Sequence, residues 1–462
     1  MFIEKSLLLT SIPPKVLPEI TALVNLLLQN HGRVYAVGGV VRDILMGCSG
    51  HDLDIEVHGL TAEALEKLLA RFGTVHYDGK SFGVFRVHGL PVDWSLPRRD
   101  SSGRKPLVEV DPAMDIVQAL KRRDLTINAM AIDFATGELI DPFGGYQDLQ
   151  NKILATPDAA FFVQDPLRFY RVMQFIGRFE MRPNAELDSL CATMDISAIS
   201  VERIHAEFDK LFTLSKRPSL GIRWLNDIGR LALLLPEVAA LIGVPQQPDW
   251  HPEGDVFEHS MQAMDAAAQR PFDDRRLLVC AALCHDLGKV STTKVIDGRW
   301  RSFGHEAAGV EPAKKLMKRL TGNKKLQELV ATLVRHHMAP GQLVAQNASA
   351  KAYKKLAYTL APDLNLFILS ELAYADKSGR NPKKYYPLSG PLPALDEFIA
   401  RAKEYGVLYG PEKALVTGAD LMPLGLAGPA LGRALEKAYR YQIEQKDATR
   451  ETVLRYLERM IN

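Results

Sequence analysis

Two aspartates one residue apart, Asp52 and Asp54, follow a glycine pair at Gly38 and Gly39 and a short helical segment. Alternate side chains of a strand point to the same face, so these two carboxylates would lie side by side. Adjacent carboxylates repel each other unless a cation separates them, and Mg²⁺ prefers such oxygen ligands. Asp93, on a later predicted strand, offers a third carboxylate. This set predicts phosphoryl transfer at a magnesium site.

The prediction of a magnesium site depends on the order of these features along the chain. A D-x-D pair alone is more often solvated surface or a turn, and two glycines before a helix are common. Here a strand, a glycine turn, a helix, a D-x-D strand and a later aspartate follow one another. Glycine lets the backbone approach a phosphate closely, and the N–H groups of the following helix point towards it.

A second group of candidate ligands begins after residue 255, in "VFEHSMQAM", "ALCHDLGKV", "FGHEAAGV", "VRHHMAP" and "AYADKSGR". Imidazole and carboxylate groups together suit transition metals. A single buried histidine is more often a core residue, but five of the twelve histidines fall in these segments. The adjacent pair His285-Asp286, with a distant histidine before it and a distant aspartate after it, indicates a second metal site.

The predicted secondary structure that positions these groups changes along the chain from α/β to almost entirely helical. Residues from about 30 to 140 alternate strand and helix patterns, which predicts an α/β region with a mixed sheet. From Asp165 onward the pattern is almost entirely helical, except for the linker-like "IGVPQQPDWHPEGD". The predicted divisions are an α/β head at 1–140, a helical neck and body at 141–245, an all-α domain at 250–380 and a helical tail at 381–462.

Composition limits the classes of function. The 462 residues are 47% hydrophobic and carry a formal net charge of only +2, so nucleic-acid binding would need local basic patches. No apolar run approaches the roughly 18 residues that span a bilayer, and the first residues lack a signal-peptide pattern. We therefore expect a cytoplasmic protein with no membrane association. Cys280 and Cys284 have helical spacing and are predicted to be buried core thiols rather than a metal pair.

Five segments make the chain similar to a known family. "VGGVVRDILMG", "HDLDIEV", "KRRDLTINAMAID", "DPFGGYQDL" and "QDPLRFYRVMQFIGRF" resemble, in order, the motifs of class II tRNA nucleotidyltransferases. These are the CCA-adding enzymes and their poly(A) polymerase relatives in the polymerase-β superfamily. Over roughly residues 33–180 the resemblance implies a polymerase-β-like nucleotidyltransferase head followed by an all-α neck and body. The implied activity is template-independent addition of CCA to tRNA from CTP and ATP.

The resemblance also implies roles for individual residues in the head. Asp52 and Asp54 bind the catalytic Mg²⁺, with Asp93 as the third catalytic carboxylate; Gly38, Gly39 and Arg42 contact the triphosphate; Arg122, Arg123, Asp124 and Asn128 brace the sugar and link head to neck; Asp165, Arg168 and Arg171 lie on the nucleotide-binding helix. Within "DPFGG", Asp141 to Gly145, the resemblance implies a fold-supporting turn.

The segment "QDPLRFYRVMQF" resembles the protein template of the family, in which an aspartate and an arginine hydrogen-bond the edges of the incoming base. Asp165 and Arg168 stand at those places, although Asp165 before Pro166 is also a good helix cap. Gln164 replaces the usual glutamate. An A-adding enzyme or a poly(A) polymerase therefore stays a candidate. A second alternative is an RNA-binding phosphohydrolase with an inactive head.

The histidine segments resemble the HD phosphohydrolase superfamily, an all-α domain that follows the polymerase body in some bacterial CCA-adding enzymes. The resemblance implies His259, His285, Asp286 and Asp376 as metal ligands, with His305 and either His336 or His337 as further ligands or phosphate contacts. Ni²⁺, Mn²⁺, Co²⁺ or Mg²⁺ would suit this set. The implied activity is that of a phosphatase or 2′,3′-cyclic phosphodiesterase, with Lys289 contacting phosphate.

Three basic segments are candidate contacts for tRNA phosphates, although each alone resembles a solvated helix face. They are "KKLMKRLTGNKK" at Lys314–Lys325, "SKRP" at Ser215–Pro218 and "GRNPKKYYP" at Gly379–Pro387. The expected partners are tRNA, ATP and CTP. No protein partner is implied.

Overall fold

A computed structural model describes residues 3, 14–48, 53–78, 83–100, 108–383, 386–445 and 447–461. Asp52, Lys384 and Tyr385 lie outside the described residues. The chain divides into two compact units, Met1–Glu207 and Phe208–Asn462. This division falls inside the predicted neck and body, and the boundaries near residues 140, 245 and 380 stay predictions. Within the described ranges, no helix is both long and apolar enough to cross a bilayer.

The first unit contains a mixed seven-stranded sheet. The strands of the unit are β1 (Arg33–Val37), β2 (Leu53–His58), β3 (Val75–Asp78), β4 (Val84–Val87), β5 (Val92–Ser95), β6 (Arg98–Asp100), β7 (Val108–Val110), β8 (Ala131–Asp133), β9 (Leu139–Ile140), β10 (Ile153–Leu154) and β11 (Arg182–Pro183). The sheet order is β3-β4-β5-β2-β1-β8-β9, in which only β2 and β5 pair in parallel. β6 with β7 and β10 with β11 form separate pairs.

Most helices of the first unit surround this sheet or follow it. They are α1 (Leu17–Gln29), α2 (Gly39–Leu45), α3 (Ala62–Leu69), α4 (Ile116–Lys121), α5 (Gly145–Asn151), α6 (Ala159–Phe162), α7 (Leu167–Phe179) and α8 (Ala185–Thr193). A 3₁₀ turn covers Thr126–Asn128, and α9 (Val201–Leu214) crosses from the first unit into the second. Thr61 accepts the N–H of Ala64 and so caps α3, as its residue type favours.

The two faces of the sheet have different surroundings. One face buries a large apolar core in which α1 and α3 cover the strands, with Leu23, Val34, Ile55 and Trp94 among its members. Because side chains alternate along β2, Asp54 points to the opposite face from Ile55. The apolar core thereby fixes which face of the sheet carries the carboxylates.

The second unit is built almost entirely of helices. After α9 come α10 (Ser219–Asp227), α11 (Leu231–Leu234), α12 (Pro236–Ala239), α13 (Val256–Gln269), α14 (Arg275–Cys284), α15 (Lys289–Thr292), α16 (His305–Ala308), α17 (Val310–Leu320), α18 (Lys324–His336), α19 (Ala339–Ala345), α20 (Ala350–Leu360), α21 (Leu366–Ser378), α22 (Pro393–Glu404), α23 (Gly418–Leu421), α24 (Gly428–Glu444) and α25 (Arg450–Ile461). A hairpin of β12 (Lys294–Ile296) and β13 (Arg299–Arg301) and a 3₁₀ turn at Met422–Leu424 complete it.

The centre of the second unit is the packing of α13, α14 and α21. α13 is buried on nearly every side, so its polar residues face other elements rather than solvent. Cys280 and Cys284 on α14 are fully buried and unpaired, which confirms the prediction of core thiols. Burial raises the pKa of both thiols.

Candidate active sites

Two predicted carboxylates of the head lie side by side on neighbouring strands in the interior of the sheet. Asp54 on β2 and Asp93 on β5 are directly opposite each other in the parallel register. They line a cleft of about 390 Å³. Other predicted residues that line it are Arg122, Arg123, Asp165 and Arg168. Asp52 lies outside the described residues, so its predicted part in the metal site stays a prediction.

Asp93 is held by an arginine that the sequence patterns did not indicate. Arg86 on β4 donates from Nε to Asp93 Oδ1 at 2.7 Å and from Nη2 to Oδ2 at 3.0 Å. This bidentate pair places a cation on the predicted third carboxylate. The signal was available in principle, because β4 and β5 form a hairpin in which Arg86 and Asp93 are register partners.

Glu56 is a further carboxylate of this face that sequence reasoning missed, although it continues the i, i+2 pattern of Asp54. Its Oε1 lies 2.8 Å from His58 Nε2 and its Oε2 lies 3.9 Å from Arg123 Nη2. Burial alone would raise the pKa of Glu56, but His58 and Arg123 lower it below its ordinary value. Glu56 therefore remains a carboxylate in the cleft.

The guanidinium of Arg123 lies against the backbone of the glycine turn at Gly38. Gly38 has a φ of +77°, and a Cβ built there would lie 2.3 Å from Arg123 Nη1. A side chain at Gly38 would therefore displace Arg123 from its place beside the glycine turn. The triphosphate contacts predicted for Gly38 and Gly39 stay predictions.

Arg42 lies behind the cleft rather than in its lining. It is only 4% exposed, and its guanidinium donates to Asp43 at 2.7 Å and to Asn128 Oδ1 at 2.5 Å. The same group lies over the rings of Phe175 and Phe179 on α7. Burial lowers the pKa of Arg42 from its ordinary value. In this structure Arg42 braces α2 against α7, and its predicted triphosphate contact stays a prediction.

The motif "RRDLTIN" continues this network. Asp124 accepts from Asn128 Nδ2 at 3.0 Å and from Arg171 Nε at 2.5 Å. Burial alone would raise the pKa of Asp124, but Arg171 and Asn128 lower it to about 2. Arg42, Asn128, Asp124 and Arg171 thus form a continuous chain of hydrogen bonds. It links α2 and the 3₁₀ turn to α7, the helix that carries Arg168.

Arg168 is oriented by backbone groups. Its Nη1 donates to the carbonyl of Phe161 and its Nη2 to the carbonyl of Arg122, each at 2.6 Å. These contacts hold the guanidinium at the cleft, and the charges of Asp124 and Asp165 are close enough to favour its protonated form. Burial lowers the pKa of Arg168 from its ordinary value. Gln164, the departure from the family pattern, is exposed.

Asp165 makes the capping contact that was the alternative interpretation of its position. Its Oδ1 accepts the N–H of Leu167 at 3.0 Å, at the start of α7. Its Oδ2 lies 3.4 Å from Arg203 Nη2, and the side chain is about 40% exposed. The cap is present, and contact between Asp165 and a base stays a prediction that the geometry permits.

The "DPFGG" turn is a helix cap. Both oxygens of Asp141 accept backbone N–H groups at the start of α5, from Gly145 at 2.7 Å and from Tyr146 at 2.9 Å. A Cβ at Gly145 would lie 2.2 Å from the carbonyl oxygen of Thr126. Gly145 therefore allows α5 to pack against the 3₁₀ turn that contains Asn128.

In the second unit, the predicted ligands form one buried cluster. The Nε2 atoms of His259 and His285 are 3.2 Å apart, and Asp376 Oδ1 lies 3.2 Å from His259 Nε2. On the other side of Asp286, the Nε2 atoms of His305 and His337 are 3.1 Å apart. Three groups of described residues could each hold a metal ion. The predicted ligands form two of them, namely His259, His285 and Asp376, and Asp286, His305 and His337, and the third is His251, Glu253 and His259.

Asp286 connects these two groups. Its Oδ2 lies 3.2 Å from His285 Nε2 and 3.5 Å from His259 Nε2. Its Oδ1 lies 3.3 Å from His305 Nε2 and 3.9 Å from His337 Nε2. Burial alone would raise the pKa of Asp286, but His285 and Lys289 hold it well below its ordinary value. One ionised carboxylate thus faces both histidine pairs.

The backbone fixes the orientation of the rings. The Nδ1 atoms of His285, His305 and His337 lie 2.7–2.8 Å from the carbonyl oxygens of residues 282, 302 and 334. A carbonyl can only accept, so each Nδ1 carries a proton and, in the neutral ring, each Nε2 presents a lone pair. Burial lowers the pKa of His337 to about 3, so this ring is neutral at pH 7. Lone pairs that face one another and a carboxylate fit a divalent transition metal.

The sequence patterns did not indicate Glu253 and His251, which lie next to His259. Glu253 is buried, and its Oε1 lies 2.8 Å from both His251 Nδ1 and His259 Nδ1. Burial alone would raise the pKa of Glu253, but the two histidines lower it to about 2. Glu253 orients His259 as an outer carboxylate. Its place in the predicted linker, in "HPEGD", gave no periodic signal.

Of the adjacent pair at 336 and 337, only the second joins the cluster. His337 is 2% exposed and faces His305, whereas His336 is partly exposed and belongs to neither ligand group. Successive residues at a helix end point about 100° apart, so both could not face one centre.

Lys289, the predicted phosphate contact, is paired within the cluster. Its Nζ lies 2.7 Å from Asp286 Oδ2 and 2.8 Å from Gln246 Oε1.

One predicted basic segment is largely buried. In "SKRP", Ser215 and Arg217 are buried, and Arg217 Nε lies 3.4 Å from Asp265 Oδ2. Only Lys216 is exposed there, so this segment offers little to a phosphate backbone. In the other two segments, Lys314 pairs with Glu328 and Arg380 with Asp376.

Comparison with known proteins matches three domain families to this chain. Residues 34–155 match the Poly A polymerase head domain, residues 190–242 match the "Probable RNA and SrmB- binding site of polymerase A", and residues 256–370 match the HD domain. The first covers the sheet with the paired carboxylates. The last contains three of the four predicted HD ligands, and Asp376 follows it.

Solved structures and a curated relative match nearly the whole chain. The Bacillus stearothermophilus CCA-adding enzyme in complex with CTP superposes with a TM-score of 0.64 at 21% identity, covering 97% of this chain and 99% of that one. The Thermotoga maritima CCA-adding enzyme complexed with tRNA-CCA gives 0.59 at 21% identity, covering 99% and 98%. These likenesses show the fold. A Multifunctional CCA protein of Xanthomonas campestris is 32% identical over 91% of this chain and 100% of its own length. The chain therefore belongs to the multifunctional CCA protein family.

Proposed function

We propose that this chain adds C, C and A to the 3′ end of tRNA from CTP and ATP without a nucleic-acid template. The observation that supports this most directly is the cleft shared by Asp54, Asp93, Asp165 and Arg168. Carboxylates for metal-bound triphosphate and side chains for base edges lie in one space. The addition releases pyrophosphate as the RNA 3′ hydroxyl attacks the α-phosphate. A cytoplasmic location fits such a substrate.

In this proposal, Asp52, Asp54 and Asp93 hold Mg²⁺, which supplies charge stabilisation for the transferring phosphoryl group when bound. Arg122 and Arg123 lie in the same cleft and suit triphosphate oxygens, because guanidinium groups donate in a planar fork. Asp165 accepts from and Arg168 donates to the base edge. The network of Arg42, Asn128, Asp124 and Arg171 holds α7 at a fixed distance from the sheet.

We also propose that the second unit hydrolyses phosphate esters, including 2′,3′-cyclic phosphates. His259, His285 and Asp376 would hold one divalent metal and His305 and His337 a second, with Asp286 shared between them. Such ions supply an activated water and polarise phosphate oxygens when bound. Lys289, beside Asp286, would contact a phosphate oxygen. Ni²⁺, Mn²⁺, Co²⁺ and Mg²⁺ are the candidate ions.

The test of the first activity uses three labelled tRNAs that end at the discriminator base, in C and in CC. Each is incubated with CTP, ATP or both, and Mg²⁺. Extension of the first by CCA followed by a stop supports CCA addition. Addition of A to the CC-ended tRNA alone, or A tails of unlimited length, would instead support an A-adding enzyme or a poly(A) polymerase. No addition to any tRNA would support the alternative of an inactive head.

The test of the second activity uses adenosine 2′,3′-cyclic phosphate with protein that has been stripped of metal and reloaded with one ion at a time. Hydrolysis that depends on the ion supports the proposal, and the most effective ion identifies the metal. Failure of every ion to restore hydrolysis would contradict it.

A further inference from the structure

The cavity above the buried histidine cluster has an aromatic rim. The cavity has a volume of about 300 Å³ and is lined at its base by Asp286, His305, His337 and Asp376. Its other lining residues include three large aromatic side chains, Trp250, Trp300 and Phe303. We call these three residues the aromatic rim.

The aromatic rim is exposed rather than packed. Trp250 is 45% exposed, Trp300 is 38% exposed and Phe303 is 71% exposed. The other two tryptophans of the chain, Trp94 and Trp224, are buried. Large exposed aromatic groups that are gathered at one cavity mark a binding surface, since each keeps apolar area in water without stabilising the core.

The rim is also held in place and carries positive charge. The guanidinium of Arg301 lies 4.7 Å from the centre of the Trp250 ring. The backbone N–H of Trp300 donates to Gln247 Oε1 at 3.3 Å. The second contact joins the hairpin of β12 and β13 to the segment that contains Trp250. Arg380 lines the same cavity. Aromatic faces with nearby arginine suit the bases of a nucleic acid and its phosphates.

We propose that the aromatic rim is the nucleobase subsite of the phosphohydrolase centre. A phosphate held at the cluster would place the remainder of its ester towards the rim, because both line one cavity. A base would then stack on Trp250, Trp300 or Phe303, with Arg301 beside it. The rim should therefore favour phosphate esters that carry a base over those that do not. This proposal rests on the hydrolytic activity proposed above.

The test compares two cyclic phosphates that differ only in the nucleoside. Adenosine 2′,3′-cyclic phosphate carries a base, and glycerol 1,2-cyclic phosphate has the same reacting ring without one. The full-length, metal-loaded protein is compared with Trp300→Ala and Phe303→Ala. Val295→Ala is the matched control, because Val295 is 56% exposed and is the register partner of Trp300, but is absent from the cavity lining among the described residues.

Each rim variant should lower kcat/KM for the adenosine substrate by about 5- to 100-fold, mainly through KM, since stacking contributes to binding rather than to the reacting bond. Hydrolysis of the glycerol substrate and the behaviour of Val295→Ala should not change. Phe303→Tyr should retain activity because it keeps the ring. An equal loss on both substrates, or no loss on either, would overturn the proposal.

A binding measurement separates this proposal from the hydrolytic one. Adenosine 2′-phosphate should quench tryptophan fluorescence in the wild type, less in Trp300→Ala, and glycerol 2-phosphate should not quench it. If neither cyclic phosphate is hydrolysed but the quenching has this pattern, the hydrolytic proposal fails and the base subsite stands. If adenosine 2′-phosphate binds no more tightly than glycerol 2-phosphate, the base subsite is wrong whatever the hydrolytic activity.

Discussion

The two candidate sites balance their charges in different ways. In the head, Asp93 is paired with Arg86 through two hydrogen bonds, and both side chains are more than one-third exposed. In the second unit, Asp286 is 1% exposed and faces inward-pointing imidazoles that the backbone orients. The first site lies open to a large, charged substrate. In the second, burial and backbone contacts hold the donor atoms together and leave them no alternative partners in water.

The two sites should differ in how they bind metal ions. An open cleft can accept a nucleoside triphosphate with its own Mg²⁺, since Mg²⁺ is commonly shared between carboxylates and phosphates. We expect a buried ligand cluster instead to retain a bound metal between turnovers. We therefore expect the two activities to be separable by single substitutions, by metal chelation and by pH.

The largest expected effect is on the head. Asp54→Ala should lower nucleotide addition by about 10⁴-fold, because several kcal/mol of electrostatic stabilisation are lost at about 1.36 kcal/mol per tenfold. Hydrolysis of a cyclic phosphate should not change. Glu66→Gln on the exposed side of α3 is the matched control and should leave both activities intact. Steady-state assays of the two reactions measure this, and addition by Asp54→Ala at a tenth of the wild-type rate would contradict the assignment.

The reciprocal change is Asp286→Asn. It should lower cyclic phosphate hydrolysis by roughly 10³-fold, because the shared carboxylate between the two ligand groups is lost. Bound metal, measured by elemental analysis after dialysis, should fall as well, while nucleotide addition continues. Retention of all the metal by this variant would show that Asp286 is not a shared ligand.

Gly288→Ala tests whether the cluster depends on close backbone packing. A Cβ at Gly288 would lie 2.0 Å from the carbonyl oxygen of His305 and 2.6 Å from the amide nitrogen of Gly309. The variant should lose about 2–3 kcal/mol of stability and should bind less metal, because α16 must move. Gly341→Ala in α19 meets nothing within 4 Å and should be neutral or slightly stabilising. Urea unfolding compares the two, and equal stability would refute the packing argument.

Metal binding to the second unit should depend on pH through His259. Burial alone would lower the pKa of His259, but hydrogen bonds with Asp376 and Glu253 raise it above its ordinary value of 6.5. In the metal-free protein this interaction stabilises the fold fully below pH 6.5 and is lost as the pH rises through the raised pKa. A metal must displace that proton, so affinity should rise by up to tenfold per pH unit across this window.

Calorimetric titration with Mn²⁺ at several pH values measures this dependence. Glu253→Gln should shift the rise to lower pH, because one of the carboxylates that raise the pKa of His259 is removed. An affinity that stays constant from pH 6 to pH 9 would show that His259 binds no proton that the metal displaces.

The smallest expected effect concerns Gln164. Gln164→Glu restores the family pattern, but Arg168 is already oriented by the carbonyls of Phe161 and Arg122, and residue 164 is exposed. The ratio of kcat/KM for CTP and ATP should therefore change by less than about threefold, as expected for an exposed charge pair. A change of more than tenfold would mean that residue 164 orients Arg168 after all.

Several features could be predicted from the sequence because they depend on local spacing. Alternation along a strand places Asp54 and Glu56 on one face, and the apolar residues between them select which face is buried. The α/β head followed by helical regions, including an HD domain, is confirmed by the family matches and the structural likenesses. The burial of Cys280 and Cys284 followed from their helical spacing in an apolar segment.

Other features depended on contacts between distant elements. His337 continues the buried face of Leu326, Val330 and Val334 and His336 does not, but only the packing of α18 against α16 places His337 beside His305. Glu253 lies in an irregular segment without periodicity, so its contact with His259 had no sequence signal.

The sequence by itself thus determined which chemical groups are present, their order and their spacing within each strand or helix. Only the tertiary structure decided that Arg42 is buried against Phe179, that Asp286 faces two histidine pairs, and that Trp250 and Trp300 line the cavity above them. The physical reason is that the period of a strand or helix fixes local direction, whereas the packing of apolar faces fixes which elements meet.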